Sequence, residues 1–250
     1  MMRGVITMEA TTMRASRVVA WTSAIVVVGV IGLTLGFVAA TLAGNEQVAS
    51  QLGPLATQRG WPLFLGVMSQ LSAAGCVIGF GVGLSWIFGH EFTDRTLSGL
   101  FAHPVSLARI AGAKLTVYGV WVVGVASAVC LIGAGAGWVT QAGALTGEAM
   151  AGFARLWILI VLSGCLATPA AWAATLGRGP FPGIGATIGV VIIGQIGSIG
   201  GLAGWVPFVA PALWALNPAE VSLAQLALTL TIPAVFGGLT IAAWQRLTVD

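Results

Sequence analysis

Five of the seventeen charged residues, Glu91, Asp94, Arg95, Arg109 and Lys114, share one 25-residue stretch with both histidines, His90 and His103. Long apolar runs flank it on either side. Side chains of these types can hold a metal, relay protons or form ion pairs. His90 and His103 lack an i, i+4 relation and have no cysteine cluster beside them, so a metal site is not expected there. Intramembrane catalysis needs a nucleophile beside a base, or clustered acids or histidines, facing a wet cavity, and the apolar runs encode no such pairing. Ion pairing and contact with a partner in water remain. Cys76, Cys130 and Cys165 fall inside apolar runs, lack metal-ligand spacing and read as small packing residues.

The charged stretch has the pattern of a short amphipathic helix. At about 100° per residue, Glu91, Asp94, Arg95 and Ser98 fall on one arc, and Phe92, Leu97, Leu100 and Phe101 on the other. Glu91 precedes Arg95 by four residues, the favourable order for a helical ion pair, worth about 0.3–0.5 kcal/mol when exposed. Pro104 disfavours helical geometry at His103 and should end the helix. Ser106 is placed to cap the next one. Arg109 and Lys114 are then expected at headgroup level, where their long stems reach water.

Composition settles what must position this stretch. The chain is 58% hydrophobic and 7% charged, against about 25% charged residues in an ordinary soluble chain. Its mean hydropathy is +1.00. An all-α polytopic membrane protein is therefore expected, with six transmembrane helices near Val18–Thr41, Pro62–Phe88, Leu115–Trp138, Leu156–Leu176, Gly183–Gly204 and Val221–Trp244. The first run holds twelve Val, Ile, Leu or Phe residues and no charge, about −5 kcal/mol towards insertion. A cleaved signal peptide competes for that run, but its apolar core is too long for one. The whole of 1–250 reads as a single transmembrane domain, with an interfacial helix at 1–17, a wet segment at 90–114 and a proline-broken segment at 198–220. A formal charge of +3 gives no argument for nucleic acid.

With the N-terminus inside, Arg3, Arg14, Arg17, Arg95, Arg109, Lys114, Arg178 and Arg246 all fall on the cytoplasmic side, and only Arg59 and Arg155 outside. Both termini are therefore expected in the cytoplasm, and the chain is expected in the cytoplasmic (inner or plasma) membrane.

The run FGHEFTDRTLSGLFAHPVSLARIAGAK, with Glu91, Arg95-Thr96-Leu97, Pro104-Val105-Ser106 and Lys114 in order, resembles the cytoplasmic segment between the second and third spans of ABC transporter permeases of the type-2 exporter class. The six-span layout fits as well. Leu107 departs from the pattern, since family members often carry Arg after Pro-Val-Ser; Arg109 would supply that charge. The resemblance implies that the segment is a coupling helix docking into a groove of a separate ATPase subunit, with Glu91, Phe92, Asp94, Arg95, Thr96 and Ser98 near the docking surface. It also implies pairing with a second six-span permease, as a homodimer or heterodimer, and cargo of the drug, antibiotic, peptide or lipid-like kind.

What is missing points the same way. No span carries an ionisable residue in its middle, as ion-driven carriers and charge-selective pores usually require. The only lysine, Lys114 in GAKL, belongs to no GxxxxGK[ST] loop, so no cofactor is expected on this chain and ATP and Mg belong to the partner. Between the fifth and sixth spans, Pro207, Pro211 and Pro218 break the helix, and Trp205, Phe208 and Trp214 favour the interface. Short re-entrant or interfacial helices are expected there, which the resemblance assigns to an outer gate. Gln70, Tyr118 and Gln195 are candidates for the substrate pathway, although such residues inside spans more often join helices by hydrogen bonds. GxxxG steps at Gly75, Gly79 and Gly83, and at Gly32/Gly36, Gly133/Gly137 and Gly197/Gly201, suggest close helix contact, while Pro169 and Pro233 should bend the fourth and sixth spans. The expected function is that of the membrane-spanning permease of an ATP-driven exporter. The alternative is a non-transporting assembly subunit or a channel-like membrane protein.

Overall fold

In the computed structural model, residues 2–94, 105–199 and 203–247 are described, and every regular element among them is helical. Helix α1 spans Met2–Ala15, α2 Arg17–Leu42, α3 Glu46–Leu52, α4 Trp61–Thr93, α5 Leu107–Val139, α6 Gly147–Leu166, α7 Pro169–Leu176, α8 Pro180–Gly197, α9 Ala210–Leu216, α10 Leu223–Leu228 and α11 Thr231–Gln245. Six segments are long and apolar enough to cross a membrane: α2, α4, α5, α6 with α7, α8, and α10 with α11. The fold is the all-helical six-span bundle read from composition.

The bundle is built around α4. Phe64, Val67, Met68, Cys76, Phe80, Leu84 and Phe88 along it are buried, and α2, α6, α7 and α8 pack against it. Glycine lets these neighbours approach. A Cβ on Gly79 would strike Val26 of α2, one on Gly81 would strike Thr187 of α8, and one on Gly83 the Trp121 ring of α5. Gly133 and Gly137 of α5 receive Met68 and Trp61 in the same way. Gly32, Gly36 and Gly75 have open space beside them, so those expected steps make no close contact among the described residues. Indole-to-hydroxyl bonds add specific clips: Trp121 Nε1 donates to Ser23 Oγ at 2.7 Å and Trp157 Nε1 to Ser127 Oγ at 3.2 Å.

Two spans break where proline requires it. Proline has no N–H for the carbonyl four residues back, and its ring crowds that carbonyl. Before Pro169 that carbonyl is Cys165, and the Thr168 hydroxyl donates to it at 2.7 Å in place of the missing amide. Before Pro233 it is Thr229, where α10 gives way to α11, and the Thr229 hydroxyl donates instead to the Pro207 carbonyl at 3.2 Å.

Several boundaries differ from the hydropathy reading. The fourth span begins at Gly147 rather than Leu156, which moves Arg155 from a flank to the interior of a helix. The fifth ends at Gly197, well before Gly204. Helices α4 and α5 each run 33 residues, about 50 Å, against a hydrocarbon core of about 30 Å. The tail of α4 therefore carries Glu91, Phe92 and Thr93 on the second span itself, rather than on a separate helix opening at His90. Ser106 holds the N-cap position of α5, though its side chain makes no capping bond.

The two ends of the bundle are sorted. Helix α1, the end of α4, the start of α5, the α7–α8 turn and the end of α11 meet at one end, through Glu9, Glu91, Lys114, Thr175 and Trp244. A Cβ on Gly89 there would meet backbone of Gly179 and Pro180. At the other end Trp61 Nε1 donates to the Gly143 carbonyl at 2.9 Å, and α3, the start of α6 and α9 surround a shared cavity.

Candidate functional site

Lys114 sits two turns into α5 and is only 2% exposed. Its Nζ lies 2.7 Å from Glu91 Oε1 and 3.0 Å from Glu9 Oε2. Glu9 and Glu91 are each 7% exposed. One ammonium thus joins the middle of α1 to the end of α4 and the start of α5. Burying these charges is tolerable only because they pair, since each ion taken from water alone costs several kcal/mol. The pairing is not complete: among the described residues Glu91 Oε2 is buried without a hydrogen-bond partner. Two carboxylates against one ammonium leave the cluster formally negative.

Aromatic groups close the cluster on the side of α11. Lys114 Nζ stands 5.8 Å from the centroid of Trp244, within range for the ring face to attract a cation. Trp244 is fully buried, donates from Nε1 to Thr175 Oγ1 at 3.1 Å, and meets Phe88 and Phe92 edge-on at 5.6 and 6.4 Å. On the other flank His90 stacks on Trp86 at 4.2 Å, with Nδ1 2.8 Å from the Trp86 carbonyl. Four of the six spans, together with α1, are therefore keyed at this end to one polar and aromatic knot.

This placement corrects two expectations. Lys114 does not reach for water at headgroup level but points inward, because two carboxylates satisfy it there. Glu91 does not present its carboxylate on an exposed arc; it is committed to Lys114, and Phe92 beside it is turned onto Trp244. Asp94, at the C-cap of α4, is exposed. Arg95, Thr96 and Ser98, with the remainder of the expected coupling helix and His103, lie outside the described residues.

The pathway candidates are not brought together. Gln70 lines the cavity at the end away from Lys114, which measures about 430 Å³. The Tyr118 hydroxyl donates to the Gly164 carbonyl at 2.7 Å, a helix-to-helix bond between α5 and α6, and its ring edges a separate cavity of about 200 Å³. Gln195 borders a third, of about 120 Å³, with Phe208. Trp205 is exposed and Trp214 half-buried, on the broken segment between α8 and α10 that the prolines foretold. Sequence reasoning missed Glu9 as a site residue. The available signal was that Glu9 is the only acid in the first 45 residues, on a helix whose Arg3 and Arg14 stay exposed.

A family profile described as ABC-2 family transporter protein matches residues 5–194, a range that includes Glu9, Glu91 and Lys114. The chain belongs to the ABC-2 transporter family. As an ABC-2 membrane component it is a permease subunit of an ABC transporter, a multi-pass membrane protein whose family works with an ABC ATPase. Comparison with curated proteins gave no match.

Proposed function

We propose that this ABC-2 permease is the membrane half of an exporter, in which a separate ATPase subunit docks on the elbow after α4 and drives the bundle between inward-facing and outward-facing arrangements. The observation that carries the reading is the Lys114 triad. It fastens the base of the elbow to α4, α5 and α1 at once, so a push on the elbow is delivered to three helices rather than lost in a hinge. Asp94, Arg95, Thr96 and Ser98 form the docking surface, while Glu91 transmits. ATP and Mg stay with the ATPase; this chain contributes the path.

The membrane is the cytoplasmic one, with both termini and the triad on the cytoplasmic side. The exposed Arg3, Arg14, Arg17, Arg109, Arg178 and Arg246 at the triad end support this orientation, against Arg59 and Arg155 at the other. A second six-span permease completes the pathway. The apolar face of α8, with Ile188, Ile192, Ile193 and Ile196 exposed, suits such a partner or lipid. The cargo is amphipathic, of the drug, antibiotic, peptide or lipid-like class, and the broken segment with Trp205, Phe208 and Trp214 lies at its exit.

The test is reconstitution of the chain with its ATPase subunit in proteoliposomes. Asp94→Lys combined with Arg95→Glu is expected to weaken assembly or to leave ATP hydrolysis independent of the permease. Full assembly and full coupling in that double variant would overturn the docking role.

A further inference from the structure

The cavity at the end of the bundle away from Lys114 is lined by a cation, Arg155, that makes no ion pair among the described residues. Arg155 lies eight residues inside α6, about 12 Å along the helix. Its Nε is buried without a hydrogen-bond partner, and among the described residues the side chain makes no ion pair. Glu148, the nearest acid on the same helix, sits exposed at the rim and does not pair with it. Arg155 as a whole is half-buried, and an ionisable group within a span commonly marks a site.

The space around Arg155 has the size and lining of a ligand pocket. Its volume of about 430 Å³ falls within the usual range for small-molecule sites of about 300–1,000 Å³. Leu55, Leu65 and Leu216 contribute to its apolar wall, and Ser69 and Gln70 of α4 add hydrogen-bonding groups to the same lining as Arg155. The wall is fixed in place: Trp61, also lining it, is tied by its indole N–H to Gly143, and Gly66 lets Leu55 lie flat against α4.

We infer that this cavity binds an anionic amphiphile, a phosphate or carboxylate head on Arg155 with its chain along Leu55, Leu65 and Leu216. A guanidinium matches such heads with paired, charge-assisted N–H donors. The head belongs either to a membrane lipid or to a diffusible amphiphile. The inference does not rest on the transport reading, because binding is a property of the chain without its ATPase.

The experiment uses the full chain purified in dodecyl maltoside and titrated with dodecyl phosphate, with bound molecules counted by native mass spectrometry. One dodecyl phosphate is expected to bind saturably, and dodecyltrimethylammonium not at all. Arg155→Gln is expected to weaken binding about tenfold or more, the loss of one charge-assisted contact. Gln70→Glu keeps Arg155 and alters an exposed position, so it should fold normally and also bind weakly. Phosphatidylglycerol that stays with the wild-type chain through purification and is lost from both variants would identify a lipid as the source. Dodecyl phosphate binding without retained phosphatidylglycerol would identify a diffusible amphiphile. Absence of saturable binding, or unchanged affinity in either folded variant, overturns the inference.

Discussion

Lys114 Nζ lies 2.7 Å from Glu91 Oε1, joining the start of the third span to the end of the second across the base of the elbow. Glu9 completes the contact from α1. The three charges differ in what their removal leaves behind. Lys114→Met would strand two carboxylates in a buried site and should destabilise the protein by about 3–5 kcal/mol, the usual cost of breaking a buried pair from one side. Glu9→Gln leaves Lys114 paired with Glu91 and should cost less. Replacing all three with neutral residues should recover most of the loss, because no buried charge is then unpaired. Thermal unfolding of the purified variants in one detergent checks the order.

Gly89 offers a test of packing at the same end. A methyl group there meets backbone of Gly179 and Pro180, which cannot rotate aside as a side chain would. Gly89→Ala is expected to cost about 1–3 kcal/mol, in the range of overpacked cores. Gly75→Ala, on the same helix with open space beside it, should be close to neutral within the chain. A comparison of their unfolding temperatures decides the point.

The break before Pro169 depends on a hydroxyl. Thr168 Oγ1 donates to the Cys165 carbonyl at 2.7 Å, so Thr168→Val keeps the shape and removes that donor. A loss of about 1 kcal/mol is expected. The backbone amide of Thr168 also reaches the carbonyl, at 3.2 Å, which limits the damage. Pro169→Ala in the same background should reduce the effect of the valine substitution, since the amide of residue 169 then becomes available. Denaturation of the single and double variants measures this.

The sorting of the two ends predicts which side a membrane-impermeant maleimide can reach. With the three native cysteines replaced, a cysteine at Asn217 should be labelled on intact cells, and one at Arg246 only after permeabilisation. Both positions are exposed. The opposite pattern would invert the orientation and remove the elbow from the cytoplasm.

Much of this fold is legible in the sequence because the bilayer imposes it. A run of about twenty apolar residues crosses the hydrocarbon whatever its partners, and the breaks at Pro169 and Pro233 follow from local covalent chemistry. Hydropathy reports only the part of a helix that lipid sees. It therefore stopped the second span at Phe88 and started the third at Leu115, although the helices continue through Glu91 and Lys114. Helix α3 was missed despite its local signals: Asn45 caps it by accepting from the Val48 amide at 3.1 Å, and Glu46 opens it.

The triad was beyond sequence reasoning for a different reason. Glu91 has a charged neighbour four residues on, Arg95, and local spacing favours that pair. The structure instead gives its Oε1 to Lys114, 23 positions away, and Lys114 also takes Glu9, 105 positions away. A string of letters shows that a charge exists but not which distant helix will bury it.

The most direct test of the triad as the transmitting element is a double-mutant cycle between Glu91 and Lys114 in the complete complex with its ATPase, read as ATP hydrolysis that depends on the permease. Glu91→Gln and Lys114→Met are each expected to uncouple hydrolysis, and the double variant to be no worse than the poorer single one, a non-additivity of about 0.5–3 kcal/mol. Strictly additive losses, or full coupling in all three variants, would contradict the role assigned to the pair.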